Sequence, residues 1–395
     1  MRLLWLTWID PAPERDGQRI YSGRLIAAVG EAGARIEVVC AASADSRRRP
    51  GQIEGGVRWW PIAAPPRSRA ASLASTLPHV AHRANAATMR RRLASLARSE
   101  AWDAVVLDGL SSGWALPLVD RVARWRGPRR VVYVSHNHEE TTRAGLARNF
   151  EGSPWMRAAL ARDAAKARRL ERRMVDSADL VTAITADDAA RFAARRPDTP
   201  VLVLSPGYGG HRVADRSITA ETPRRAVIAG SFDWLAKRMN LVEFLAAADA
   251  RFADAGVELQ VVGNADAEFL DGLRRGVRAT RLIGPVPAME PYLAAARLAI
   301  VPERTGGGFK LKVLEYVFNR VPAAVISGSI AGMPLESPDT VLAFDSHGRL
   351  ADGVLEVIDD LPRLNRMQSR AYEVCAGRFD WRTRGERFLA VAASA

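Results

Sequence analysis

The sequence has 395 residues, more than one hydrophobic core usually supports, and this length predicts two domains of about 200 residues each. Hydrophobic residues make up 48% of the chain and charged residues 26%, which excludes broad disorder. Residues 1–205 hold 33 lysines and arginines against 21 acidic residues. This excess indicates an anionic partner, which is either an acidic membrane leaflet or nucleic acid. The alternative is an arginine-rich composition without a binding role.

The chain begins with a predicted strand at Leu3–Ile9, which Asp10 and Pro11 end too soon for a signal peptide or a membrane span. The later strands of the first half alternate with helices rich in alanine, leucine and arginine, and this alternation predicts a parallel sheet. These strands are Ile36–Cys40, Val57–Ile62, Ala104–Leu107, Val131–Ser135, Leu180–Ile184 and Val201–Leu204.

Two predicted helices of the first half are dense in basic residues. The first contains Arg83, Arg90, Arg91, Arg92 and Arg98, and the second contains Arg162, Lys166, Arg168, Arg169, Arg172 and Arg173. A basic and partly apolar face of this kind predicts peripheral binding to an anionic membrane. The alternative is a solvated helical face, for which Asp163 and Glu171 are local partners.

The strand Val131–Ser135 brings two histidines to its carboxyl end, in the segment His136-Asn137-His138-Glu139. Ligands of parallel α/β sheets bind at that end of the strands, so His136 is a candidate site residue. A structural role at the strand end is the alternative. His138 and Glu139 suggest metal ligation less strongly, because no third ligand is spaced nearby.

A second α/β series follows the cluster Ser205-Pro206-Gly207-Tyr208-Gly209-Gly210 and a polar stretch that ends at Thr222. Its predicted strands are Ala226–Ala229, Leu259–Val262, Arg281–Ile283, Leu298–Val301 and Ala323–Ile326. The repeated rhythm predicts an α/β fold of two doubly wound, Rossmann-like domains that face a central cleft.

The chain has only four lysines, and three of them, Lys237, Lys310 and Lys312, lie in two short segments of this second half. One segment, residues 306–315, reads Gly-Gly-Gly-Phe-Lys-Leu-Lys-Val-Leu-Glu and follows a predicted strand. Glycine amides and lysine ammonium groups suit a diphosphate, and Glu315 suits the hydroxyls of a ribose. Lys312 either binds the ligand or pairs with a neighbouring carboxylate.

Residues 307–315 resemble the nucleotide-binding loop and helix of the GT-B glycosyltransferases, and in particular of the retaining family 4; the resemblance extends over nearly the whole chain. The family's motif is Glu-Gly-Phe-Gly-Leu, two apolar residues and Leu-Glu, and its closing glutamate corresponds to Glu315. Gly307 takes the place of the opening glutamate, which usually contacts the sugar hydroxyls. Glu303 is too far upstream to be assumed a substitute.

The resemblance implies a set of donor-binding residues. They are Gly17, Gly230, Ser231, Lys237, Arg238, Val286, Gly307, Gly308, Phe309, Lys310, Leu311 and Glu315. Ser231 stands where the family has an arginine for the diphosphate, and Arg238 is a candidate replacement for that charge. The resemblance also implies that His136 is catalytic and lines the cleft beside the donor sugar.

The same resemblance implies four segments. These are an acceptor-binding domain at 1–205, a hinge at 206–222, a nucleotide-sugar-binding domain at 223–370 and a C-terminal helix at 371–395 that crosses back to the first domain. Trp381, near the start of that helix, is expected to be a packing residue.

The implied activity is transfer of a sugar from a nucleotide sugar to a hydroxyl of a glycan or lipid-linked acceptor, with UDP or GDP as the expected nucleotide. The resemblance also implies that the anomeric configuration is retained and that the product belongs to polysaccharide or glycoconjugate synthesis. No cofactor or metal is expected, because the sequence has no Asp-x-Asp motif. Cys40 and Cys375 lie far apart, which predicts a cytosolic protein without disulfides. Peripheral binding to the inner membrane is expected from the two basic helical stretches. A sugar-nucleotide epimerase of the same architecture is the alternative, and a nucleic-acid-binding or modifying protein is weaker because zinc-ligand, stacking and helix-turn-helix signatures are all missing.

Overall fold

A computed structural model describes residues 1–65, 67–68, 70–119, 130–304 and 309–394, and the chain divides into two compact units. The first unit comprises Met1–Gly207 and Asp380–Ala395, and the second comprises Tyr208–Phe379. Each unit contains a largely parallel sheet with helices, so the predicted α/β fold class is confirmed.

The sheet of the first unit has eight strands in the order β3-β4-β2-β1-β5-β6-β7-β8. They are β1 (Arg2–Ile9), β2 (Arg35–Ala41), β3 (Gln52–Glu54), β4 (Val57–Ile62), β5 (Ala104–Asp108), β6 (Arg130–Val134), β7 (Leu180–Ala183) and β8 (Val201–Val203). All neighbouring pairs are parallel except β3 and β4. Because the strand order reverses direction beside β1, the carboxyl ends of β1 and β5 mark the position where such sheets bind ligands.

The helices of the first unit cover this sheet. They are α1 (Gly17–Glu31), α2 (Ala71–Ala74), α3 (His79–Ala84), α4 (Ala87–Ser99), a 3₁₀ helix (Leu110–Ala115), α5 (Glu139–Asn149), α6 (Pro154–Ser177) and α7 (Ala186–Arg195). The core contains Leu4, Leu107, Tyr133, Met174 and Phe192, all at most 2% exposed. Among the described residues, no helix combines the length and the apolar character needed to cross a bilayer.

The sheet of the second unit has six parallel strands in the order β11-β10-β9-β12-β13-β14. They are β9 (Arg225–Ala229), β10 (Glu258–Val262), β11 (Thr280–Gly284), β12 (Leu298–Val301), β13 (Ala323–Ile326) and β14 (Leu342–Phe344). The helices are α8 (Leu235–Asp254), α9 (Ala267–Arg274), α10 (Glu290–Ala294), α11 (Leu311–Phe318), α12 (His347–Val357) and α13 (Leu361–Cys375). Here the strand order reverses between β9 and β12.

The last helix, α14 (Trp381–Ser394), returns to the first unit and packs on α1. A Cβ at Gly385 would lie 2.1 Å from the carbonyl oxygen of Ala28, so the two helix backbones approach each other as closely as only glycine permits. Phe388 is fully buried, with its ring centroid 5.4 Å from that of Trp5. Trp381 packs edge-on against Tyr21, which agrees with the packing role expected for it.

Two strands were not predicted from the sequence. β3 is a three-residue edge strand, Gln-Ile-Glu, joined to β4 by the turn Gly55-Gly56, in which both residues have positive φ. β14 is another three-residue strand, at one edge of the sheet of the second unit. Such short edge strands bury too few side chains to leave an alternating pattern in the sequence.

Candidate functional site

The carboxyl ends of β9 and β10 approach each other through two glycines. A Cβ at Gly263 would lie 1.6 Å from the carbonyl oxygen of Gly230, and Gly263 has φ of +139°. A Cβ at Gly230 would lie 3.0 Å from Nζ of Lys312. The missing side chains therefore let the loop after β9 come against the lysines at the start of α11.

Glu303, which follows β12, is the centre of a cluster with three lysines. Nζ of Lys312 donates to Oε1 of Glu303 at 2.6 Å, and Glu303 is 7% exposed. Burial alone would raise the pKa of Glu303, but the charges of Lys312, Lys310 and Lys237 outweigh burial and hold this pKa below its usual range. The cluster therefore combines three ammonium groups with one ionised carboxylate.

Side chains from three elements fix the loop that carries Glu303. Asn240, buried on α8, accepts from the backbone amide of Arg304 at 2.8 Å. Nε2 of His347 lies 2.8 Å from the carbonyl oxygen of Pro302, and the hydroxyl of Ser329 donates to the carbonyl oxygen of Glu303 at 3.3 Å. The backbone before the glycine-rich segment is therefore held rigidly.

The helix α11 starts immediately after Lys310, whose side chain makes no capping hydrogen bond. Burial lowers the pKa of Lys310, and Lys312 lowers it further, while Glu303 opposes the shift. Leu311 is the first helical residue, so its amide lies at the positive end of the helix dipole. This end of α11 suits an anion.

Apolar side chains lie beside that helix end. Phe309 packs on Phe379 with a centroid distance of 5.9 Å. Phe309, Val286 and Tyr208 are partly buried and pack against the same core cluster of the second unit. The predicted residues Phe309 and Val286 therefore belong to one apolar region.

Glu315 lies three residues beyond Lys312 on α11, and so on the same helix face. Its Oε1 accepts from Nδ2 of Asn319 at 3.0 Å. Burial raises the pKa of Glu315, and Glu290 raises it further, whereas the Tyr208 hydroxyl and Asn319 oppose the shift. The carboxyl group thus occupies a site with hydrogen-bonding neighbours but without the lysines that surround Glu303.

The other predicted residues between β9 and the first turn of α8 interact with acidic partners. The hydroxyl of Ser231 donates to Asp233 at 2.7 Å. Arg238 pairs with Asp266 at 2.5 Å, donates from Nε to the carbonyl oxygen of Phe232 at 2.7 Å and lies over the ring of Phe269. Lys237 lies in the first turn of α8, and its charge helps to lower the pKa of Glu303. The predicted Gly307 and Gly308 lie outside the described residues.

The first unit holds two of the predicted residues, His136 and Gly17. Nε2 of His136 lies 2.5 Å from Oδ1 of Asp108, a fully buried residue whose Oδ2 accepts from Nε1 of Trp5 at 3.0 Å. Gly17 begins α1, next to Gln18. The side chains of Gln18 and His136 both lie near Gly109, which follows Asp108 and has φ of +77°. The edge of the Tyr21 ring packs on the imidazole at a centroid distance of 5.3 Å.

His138 and Glu139 are engaged locally. His138 contacts the hydroxyl of Thr141, and Glu139 pairs with Arg143 at 2.6 Å. Over the parts of the chain that the structure describes, no group of three histidine, cysteine, aspartate or glutamate side chains forms a candidate metal site.

Asp108 and Glu303 are the site residues that sequence reasoning missed. Each comes at or just after the end of a fully buried strand, so a carboxylate terminates an apolar run in both cases. That position is the available signal, because a buried carboxylate needs a partner and parallel strands end at the binding edge of the sheet.

Two family models match the sequence. A glycosyl transferase 4-like domain matches residues 16–207, and a glycosyl transferases group 1 domain matches residues 223–360. No curated protein matches the sequence.

Solved structures match the whole chain at low sequence identity. Sucrose-phosphate synthase from Thermosynechococcus elongatus has a TM-score of 0.74 at 17% identity, covering 100% of this chain and 98% of that one. Anabaena HepE in complex with UDP-glucose has a TM-score of 0.68 at 14% identity, and WaaG, a glycosyltransferase involved in lipopolysaccharide biosynthesis, has 0.64 at 15%; both matches cover 100% of each chain. These likenesses establish a common GT-B fold.

Proposed function

Since the chain belongs to the glycosyltransferases, we propose that it moves a sugar from a UDP- or GDP-sugar to a hydroxyl of a glycan or lipid-linked acceptor. Its glycosyl transferase 4-like domain is followed by a glycosyl transferases group 1 domain. The proposal includes retention of the anomeric configuration and a role in cell-surface polysaccharide or glycoconjugate synthesis. The observation that carries it is the convergence of three lysines around Glu303, two of which lie at the start of α11, about one turn before Glu315.

In this proposal each group of the nucleotide sugar has its own side chains. Glu315 accepts hydrogen bonds from the ribose hydroxyls, and Val286 contacts the base. Lys237, Lys310 and the first amides of α11 bind the diphosphate, while Arg238 orients the loop after β9 by donating from Nε to the carbonyl oxygen of Phe232. The glycine-rich segment that contains Gly307 and Gly308 adds further amides in this proposal.

Fixed cations are the chemical requirement of the transfer. The acceptor oxygen replaces the diphosphate oxygen on the anomeric carbon, and its proton leaves with the diphosphate. Negative charge therefore develops on the diphosphate, and ammonium groups and helix amides that are already in place stabilise it without reorganisation. His136 acts on the reacting sugar in this proposal, and no cofactor is required.

A related structure supports the choice of a uridine nucleotide. HepE was solved with UDP-glucose and also with UDP and glucose. A pneumococcal O-GlcNAc transferase solved with UDP and GlcNAc matches 78% of this chain at a TM-score of 0.52.

The test is a thermal-shift panel of UDP-, GDP-, ADP- and TDP-sugars followed by an assay of sugar transfer. A ligand at a hundred times its dissociation constant stabilises the protein by about 2.7 kcal/mol. We expect Lys237→Ala and Glu315→Ala to abolish most of this shift, and Arg278→Ala, an exposed cation on the far edge of the same sheet, to leave it unchanged. Absence of any stabilising nucleotide would exclude the proposal.

Peripheral binding to an anionic membrane is a second part of the proposal. Trp155 at the start of α6 is 68% exposed, and Leu73 on α2 is 47% exposed. Arg162 lies two turns beyond Trp155 on α6 and donates to the carbonyl oxygen of Leu73 at 3.2 Å. Exposed apolar side chains beside a cation favour insertion at an anionic lipid surface.

Sedimentation with vesicles tests this part. At low salt we expect binding to vesicles with anionic lipid and little binding to neutral ones. The double substitution Trp155→Ala and Leu73→Ala should remove most of the binding, while Ile53→Ala, an apolar residue 58% exposed on β3, should not. Equal sedimentation with both kinds of vesicle would contradict the proposed binding to an anionic membrane.

A further inference from the structure

We infer that Glu303 is the residue that recognises the transferred sugar, by accepting a hydrogen bond from one of its hydroxyls through Oε2. The inference rests on the proposed function, because it names a specificity residue of the same donor site. It also assigns to Glu303 the contact for which Gly307 provides no side chain.

The first argument is an unsatisfied oxygen. Glu303 is buried, and its Oε1 is bound by Lys312, but Oε2 has no hydrogen-bond partner among the described residues. A buried carboxylate oxygen without a donor costs free energy, so such an atom in a native protein indicates a role for a missing partner. A hydroxyl group supplies that donor.

The second argument is position. The carboxylates Glu303 and Glu315 differ in their neighbours. Lysines shift the pKa of Glu303, whereas Tyr208, Glu290 and Asn319 shift the pKa of Glu315. If Glu315 binds the ribose, the lysine cluster holds the diphosphate, and Glu303, at the centre of that cluster, is the carboxylate available to the group joined to the second phosphate. In a nucleotide sugar that group is the sugar.

The third argument is rigidity. Lys312 fixes one oxygen of Glu303, and Asn240, Ser329 and His347 hold the backbone on both sides of it. A carboxylate held in this way keeps Oε2 in one orientation, which is what discrimination between sugar hydroxyls requires.

The test is calorimetric titration of the full-length protein with UDP-glucose or GDP-glucose, whichever gives the larger thermal shift, and with the matching nucleoside diphosphate. We expect Glu303→Gln to weaken binding of the nucleotide sugar by about ten- to a hundredfold, the usual loss for a hydrogen bond to a charged group. Binding of the nucleoside diphosphate should stay equal or become tighter, because the substitution removes a negative charge near the phosphates.

Monodeoxy analogues of the donor identify the hydroxyl. One analogue should bind the wild type as weakly as Glu303→Gln binds the full donor, and the substitution should not weaken that analogue further. Glu303→Asp keeps the negative charge beside the lysines but moves the carboxylate oxygens away from the sugar. This variant should bind the full donor and the identified deoxy analogue equally, while retaining the wild-type melting temperature.

Glu258→Gln is the matched control, since Glu258 is an ion-paired carboxylate at the amino end of β10, whereas Glu303 follows the carboxyl end of β12. It should alter neither ligand's affinity. The inference would be overturned if Glu303→Gln weakened binding of the nucleotide sugar and of the nucleoside diphosphate equally. It would also be overturned if the substitution weakened binding of every monodeoxy analogue. Either result would leave the transferase proposal standing. Failure of the wild type to bind any nucleotide would instead refute the proposed function.

Discussion

Asp108 determines which nitrogen of His136 carries a proton. Both of its oxygens face nitrogen atoms, Nε1 of Trp5 and Nε2 of His136, so in the neutral imidazole Nε2 carries the proton and the lone pair is on Nδ1. In Asp108→Asn an amide NH₂ faces one of these donors. We expect the unfolding free energy to fall by about 1–3 kcal/mol and kcat to fall at least about tenfold with little change in KM.

Initial rates across pH and urea unfolding measure these effects. The control is Asp103→Asn at the opposite end of β5, where the carboxylate accepts from the exposed backbone amide of Arg2. Rates of Asp108→Asn equal to the wild type after correction for the folded fraction would show that the proton position on His136 does not matter for transfer.

Substitution of Gly263 tests whether the loops after β9 and β10 must approach each other closely. An added Cβ would lie 1.6 Å from the carbonyl oxygen of Gly230, and the φ of +139° is itself unfavourable for other residues. Gly263→Ala should therefore lower the unfolding free energy by about 3 kcal/mol or more and abolish nucleotide-induced stabilisation. Gly272→Ala, within α9 and with open space around it, should stabilise by about 0.4–1 kcal/mol.

Sequence reasoning found the residues whose spacing carries a motif and missed those that only the fold brings together. Lys237, Lys310 and Glu315 were predicted, and the structure places them in one unit, with Lys237 and Lys310 both acting on Glu303. Glu303 was set aside because it lies 12 residues before Glu315. Its pairing with Lys312 depends on how the fold brings the end of β12 next to α11, which no local sequence pattern records.

The N-terminus of α5 is capped by a residue of another helix. Both carboxyl oxygens of Glu171 on α6 accept from α5, from the amides of Glu139 and Glu140 at 3.0 and 2.8 Å, and Tyr133 donates to Oε1 at 3.2 Å. Burial, followed by the charge of Glu139, raises the pKa of Glu171 to about 8. This helix end is therefore sensitive to pH.

The sign of that dependence follows from proton binding. Between a pKa of about 4.3 in the unfolded chain and about 8 in the folded protein, the folded state holds a proton that the unfolded state has lost. The unfolding free energy should fall as pH rises through this range, by up to about 1.4 kcal/mol per pH unit, and Glu171→Gln should remove this contribution. Urea unfolding at pH 5 to 8 measures it.

Glu151→Gln, an exposed carboxylate before α6, should keep the wild-type dependence. Parallel pH profiles of the wild type and Glu171→Gln would contradict the assignment.

At the level of elements, buried strands were predictable and edge strands were not. β4, β12 and β13 have the predicted bounds. β12 and β13 are buried along their whole length, because a strand covered on both faces must be apolar throughout. β4 instead has the exposed Arg58 between the buried Val57 and Trp59. β3 instead depends on a two-glycine turn that returns the chain along β4. Sequence periodicity cannot detect a three-residue strand with two polar side chains.

The whole chain combines two α/β sheets, and the first unit is completed by the last residues of the sequence. The boundaries between the units fall at Gly207 and Asp380, and α13, which precedes Asp380, belongs to the second unit. The repeated α/β rhythm was sufficient to predict two such sheets. The place where α14 packs was implied only by resemblance, because its contacts with α1 join opposite ends of the sequence.

Substitution at Gly385 tests how far the first unit depends on α14. Gly385→Ala drives a methyl group into the backbone of α1, which should cost about 1–3 kcal/mol of the local opening free energy. Hydrogen exchange should therefore rise about five- to a hundredfold in peptides from α1 and α14 but not in α11, whereas a bound nucleotide should protect α11 alone. Gly377→Ala, with open space around the glycine, should leave exchange unchanged. An equal rise in both units on Gly385→Ala would show that α14 stabilises the molecule as a whole rather than the first unit.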